Sequence, residues 1–120
     1  MTVAEAMKKM ILFSNGNQHD INHFLKVHAD AATIGACEGL PEDTLQTLEL
    51  AAIVHDIACP LCREKYGNTN GSYQELEGAP LTREFFAGTD VPAEQLERIV
   101  WLVSHHHTLR PIEGPDHQIL

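Results

Sequence analysis

Positive charge is scarce in this chain of 120 residues: 8 Lys and Arg stand against 17 Asp and Glu, a formal charge of −9. A protein that grips a nucleic-acid backbone does so by neutralising phosphates, so the charge balance argues against that partner. Long apolar runs are missing too. The longest purely apolar stretch, Leu50 to Val54, falls far short of the roughly 20 residues a membrane-spanning helix requires, so no membrane is expected. No signal-peptide pattern opens the chain. Cysteine is both scarce and odd in number, at three residues. Without an export signal, that points to a reducing cytoplasm and not to a disulfide framework. Internal repeats, low-complexity tracts, linkers and a Gly-rich phosphate loop are all lacking. What remains reads as one domain, 1–120, whose apolar fraction of 43% suffices for a single core without disulfide or metal staples.

The periodicity is helical from end to end. Thr2-Val3-Ala4-Glu5 has the form of a capping box and opens a helix that ends near Phe13, before the loop Ser14-Asn15-Gly16-Asn17. Asp20 is the expected N-cap of a second helix, Ile21 to about Cys37, with His23, Val27, Ala31 and Ile34 as its inward stripe. His19 is expected at the surface, and Asp20, having a capping use, is set aside as a site residue. Leu40-Pro41-Glu42-Asp43 starts a central helix that runs to Ile57, with Leu45, Leu48, Ala52 and His55 on one face. Cys59 and Cys62 form one Cys-x-x-Cys, which is half a zinc site and lacks the preceding strand of a redox motif. Both are expected as buried free thiols. After a loop from Gly67 to Gly71, short helices are expected over Tyr73 to Glu77 and from Pro80 through Phe86. A last long helix follows Asp90-Val91-Pro92, with the stripe Leu96, Ile99, Val103 and His106. Leu109 to Pro115 reads as loop, and Asp116 as the cap of a helix that has barely begun at Leu120.

Eight histidines are many for this length, and three of them sit at the start or end of an apolar stripe: His23, His55 and His106. His55 is followed by Asp56. An imidazole and a carboxylate carried together into a protein interior need a partner, and a divalent cation satisfies both at once.

The order His23-x-x-x-Val27, then Leu50-Ala51-Ala52-Ile53-Val54-His55-Asp56-Ile57, then Val103-x-x-His106-His107 resembles the HD-domain superfamily of metal-dependent phosphohydrolases. The resemblance runs from Asp20 onward. It implies an all-α, single-domain orthogonal helical bundle around a divalent metal ion, whether Mn, Mg, Fe, Co or Ni. It also implies His23, His55 and Asp56 as ligands, with His106 or His107 as a further ligand or a substrate contact. Members of this superfamily hydrolyse phosphomonoesters, phosphodiesters or nucleotides, and a minority use two irons for oxygen chemistry. The chain departs from the family in two places. Ala58 and Cys59 stand where Gly and often Lys follow His-Asp-Ile, which removes a phosphate contact that Lys65 would replace. The family's final metal-binding Asp follows the His pair, whereas here only Asp116 follows Thr108. The expected position falls past Leu120, so the domain is expected to lack its C-terminal helix, and either to lack its final metal ligand or to borrow one from water, Asp116 or a neighbouring molecule.

The expected function is that of a cytoplasmic phosphohydrolase acting on a small phosphorylated molecule such as a nucleotide, through metal-activated water. Asp56 would bind the metal and orient the water, and Lys65 would act beside it as a catalytic group. Arg63 and His107 would neutralise substrate charge. The alternatives are a non-catalytic metal- or nucleotide-binding HD module with an incomplete site and, third, an HD-type di-iron oxygenase. Substrate, metal and oligomeric state are not legible in the residues.

Overall fold

A helix that is apolar on every side has to be covered on every side, and Leu50–Val54 dictates the architecture for that reason. The structure, a computed structural model, describes residues 1–106, 114, 116, 119 and 120. Its helices run in the order α1 Val3–Phe13, α2 Gln18–Cys37, α3 Glu42–Val54, α4 Cys59–Tyr66, α5 Gly71–Phe86 and α6 Ala93–His105, with no strand among the described residues. The protein is therefore the all-α bundle expected. α3 packs against α1, α2 and α6, while α5 lies on α6 and touches α4. All five residues from Leu50 to Val54 are 0% exposed. Assigning α3 a single inward face was thus too narrow. Glu49, the polar residue just before that run, meets His28 of α2, with Oε1 3.1 Å from Nε2.

Together, Glu42–Tyr66 is long and apolar enough by composition to cross a bilayer, but most of it is buried inside the bundle, as befits a core helix.

Local chemistry explains most element boundaries. Thr2 and Glu5 make the capping box in both directions, at 3.1 and 2.9 Å. α2 starts earlier than expected because Asn17, not Asp20, is its N-cap; the Asn17 side chain accepts from the Asp20 N–H at 3.1 Å. The buried line of α2 is Ile21, Phe24, Ala31 and Gly35. Ile34 is 45% exposed, so the stripe drawn through it was rotated too far. The stretch from Cys59 to Tyr66, left unassigned above, is helical, with Pro60 in its first turn, where a missing N–H costs nothing. Pro80 does not open a new helix but lies within α5. The carbonyl its ring leaves unbonded is that of Leu76, and both residues are exposed, so water can reach it.

Burial separates the leucines of this bundle. Leu102 is fully buried in the main core, and its replacement by Ala should cost about 2–5 kcal/mol. Leu76 is exposed, and Leu76→Ala should stay within about 0.5 kcal/mol of the parent. Urea unfolding followed by circular dichroism measures both. Equal losses for the two variants would contradict the packing described.

Candidate functional site

Beyond Val54 the regular helical ladder tightens, with Ile57 N bonded to Val54 O at 3.0 Å and Cys59 N to Asp56 O at 2.9 Å. The turn 55–58 carries His55 and Asp56 from the core to the start of α4. His55 remains buried, and its Nδ1 lies 2.6 Å from the Ala52 carbonyl oxygen. A carbonyl only accepts, so Nδ1 holds the proton and Nε2 presents a lone pair. That nitrogen faces Asp56 Oδ2 at 3.2 Å and His23 Nε2 at 3.3 Å. The half-exposed His23, from the second turn of α2, reaches the same carboxylate oxygen at 3.0 Å. One ligand atom from each of His23, His55 and Asp56 lies within 4.8 Å of the other two.

His106 caps α6 with its side chain 6% exposed. Its Nδ1 donates to the Val103 carbonyl at 2.7 Å, which leaves Nε2 toward Asp56 Oδ1 at 3.5 Å. His105 turns elsewhere, donating to the Trp101 carbonyl at 2.7 Å and stacking on its ring. His107 lies outside the described residues. Burial raises the Asp56 carboxyl, but where His106 and His55 carry a second proton their hydrogen bonds and positive charge outweigh it and hold the group well below the usual carboxylate range.

The donor set fits a divalent ion. An imidazole nitrogen with a fixed tautomer, a second imidazole and a carboxylate oxygen converge, and backbone carbonyls orient the rings from behind. With no cation or extra proton between them, the His55 lone pair and the carboxylate would repel.

Beside this group opens a cleft of about 20 Å³, room for one water, lined in part by Ser14, Asp20, His23, Phe24, Asp56 and Pro60. Asp20, set aside on the sequence, lies beside the candidate ligands. Relieved of capping by Asn17, it lines the cleft and grips Arg63 of α4, with Nη1–Oδ1 at 3.3 Å and Nη2–Oδ2 at 2.5 Å. The available signal was its spacing of three from His23, which puts both on one helix face.

Lys65 is not brought into the group. It sits in the last turn of α4 and faces α5, where its Nζ pairs with Glu77 at 2.8 Å while the Tyr66 hydroxyl donates to the same oxygen at 2.7 Å. Asp116 is not brought there either. Its buried carboxylate is held by Arg98, with Nε and Nη2 at 3.0 and 2.7 Å. Both line an open groove of about 860 Å³ at the starts of α3 and α6, at the opposite end of α3 from His55. Borrowing Asp116 as a ligand is thereby ruled out.

The thiols are free, with Cys37 exposed and Cys59 and Cys62 buried. Burial, with the Asp56 carboxylate adding to it, pushes the Cys59 thiol up to about 12, and burial raises Cys62 as well. In the folded protein, iodoacetamide should therefore label Cys37 alone, with Cys59 and Cys62 reacting on unfolding. Mass spectrometry reads the sites, and labelling of all three at one rate would contradict this burial.

No curated protein and no solved structure matches the chain. The HD domain family model matches residues 20–119, a span that begins at Asp20 and contains His23, the His55-Asp56 pair and His106. On that match the chain belongs to the HD-domain family.

Proposed function

We propose that this protein is a metal-dependent phosphohydrolase acting on a small phosphorylated molecule such as a nucleotide. In this reading His23, His55 and Asp56 hold a divalent metal ion, and His106 is a further ligand or a substrate contact. The observation that carries it is the convergence of His55 Nε2 and His23 Nε2 on one Asp56 oxygen, with the Nδ1 of His55 tied to a backbone carbonyl. Bound there, a divalent ion supplies Lewis acidity toward a phosphoryl oxygen and acidifies water.

The chain's own groups divide the remaining work. Asp56 turns Oδ2 to His23 and His55 and leaves Oδ1 on the side of His106, so one carboxylate both binds and orients. Arg63 provides positive charge for a phosphate. Lys65 has no part in this, since Glu77 holds it against α5. A second reading, a metal- or nucleotide-binding module without turnover, draws support from the engagement of Asp116 by Arg98, which leaves three or four protein ligands in the set.

A phosphatase screen over nucleotides and sugar phosphates with Mn²⁺, Mg²⁺, Co²⁺ and Ni²⁺ tests the leading reading. Turnover with at least one metal is expected, and tight nucleotide binding with silence across every metal would favour the module instead. His55→Ala should lose the metal, read by elemental analysis, while its far-ultraviolet circular dichroism matches the parent. Metal retained at parental stoichiometry would remove His55 from the ligand set.

Acidification should also release the ion. A ligating imidazole must be neutral, so protons compete with the metal for its lone pair as the pH falls, whereas Asp56, held below the usual carboxylate range, stays ionised throughout. Metal affinity titrated from pH 8 to pH 5 should fall progressively, and a flat profile would contradict imidazole ligation.

A further inference from the structure

The ion pair between Asp20 and Arg63 ties α2 to α4 beside the cleft, and neither partner is needed for the caps of those helices. The two side chains differ in exposure: Asp20 is 17% exposed and lines the cleft with His23 and Asp56, while Arg63 is 42% exposed. A half-exposed pair contributes little to stability. Its geometry is the more informative feature. Asp20 engages both terminal nitrogens of the guanidinium, which fixes the plane of the fork while further N–H donors remain on the exposed side.

Charge gives this arrangement a use. A divalent ion in the cleft would be balanced by the carboxylates of Asp20 and Asp56, so Arg63 is what leaves the site with positive charge to offer. Other cations are engaged away from the cleft: Lys65 by Glu77, Arg83 by Glu97 and Arg98 by Asp116.

Resting on the phosphohydrolase reading above, we propose that Asp20 is a positioning residue that holds the Arg63 guanidinium beside the cleft, so that its remaining N–H donors receive a terminal phosphate group. The edge of the guanidinium that Asp20 leaves open, Nε–H with an Nη–H, matches two phosphate oxygens at once, which an untethered lysine does not. Asp20 fixes its orientation in advance, so a phosphate does not have to order a long side chain on binding.

The test is calorimetric titration of inorganic phosphate into the full chain loaded with Mn²⁺, with the Mn²⁺ affinity of each variant measured alone. Arg63→Gln should weaken phosphate about tenfold or more and leave Mn²⁺ affinity unchanged. Asp20→Ala supplies the sharper arm. It removes a negative charge from the cleft, so simple electrostatics demands tighter phosphate binding, whereas a positioning role demands weaker binding. We expect weaker binding, with Asp20→Asn, which keeps one acceptor oxygen, falling between. The double variant should bind no more weakly than Arg63→Gln alone, since Asp20 acts through Arg63. Phosphate binding by Asp20→Ala that is equal to or tighter than the parent's would overturn the proposal, as would loss of Mn²⁺ in that variant, which would make Asp20 a ligand. A parental protein that holds Mn²⁺ but takes no phosphate would overturn the phosphohydrolase reading itself, a failure distinct from that of Asp20.

Discussion

The constraint on which this structure depends is the complete burial of the second half of α3. Leu50 to Val54 expose nothing, so α1, α2 and α6 must close around that helix up to its exit. The residues met there are His55 and Asp56. Polar groups at such a position are costly unless bonded, and their bonds are supplied by the elements that cover the core: His23 from α2, His106 from α6 and the carbonyl of Ala52 from α3 itself. The site is thus a consequence of the core. The same packing that excludes water from the helix gathers imidazoles around its end.

Within the group, the backbone sets the chemistry of the rings. The carbonyls of Ala52 and Val103 take the Nδ1 protons of His55 and His106 and turn both Nε2 atoms toward one carboxylate. Helix ends offer carbonyls that lack a helical partner, and each ring uses the one three residues behind it. This support holds lone pairs in convergence, an arrangement that favours a cation over a hydrogen-bonded network of neutral groups.

The acidic surface shapes the rest. Carboxylates draw several of the basic side chains into pairs between neighbouring helices, as in Lys65 with Glu77, Arg83 with Glu97 and Arg98 with Asp116. Positive charge is therefore local and directed. The Asp116–Arg98 pair is seated in a groove at the far end of α3, whereas the Asp20–Arg63 pair stands beside the candidate metal ligands. Phosphate binding by a chain of high negative charge would require such a local exception.

Patterns between neighbours along the chain carried the all-α class, the Thr2–Glu5 capping box, the apolar run into His55-Asp56 and the placement of His106 at a helix end, because a helix relates residues three and four apart. They carried the HD resemblance for the same reason. Tertiary structure alone decided the rest. It rotated α2 so that Ile34 faces outward, because the close approach of α3 falls at Gly35. It tolerated Pro80 inside α5, because Leu76 and Pro80 lie on the exposed side. It drew Lys65 away to Glu77 and Asp116 to Arg98, and it gave Asp20 to Arg63 across 43 residues of sequence. A pairing between side chains on different helices leaves no trace in the periodicity of either helix, so it becomes visible only when the helices are packed.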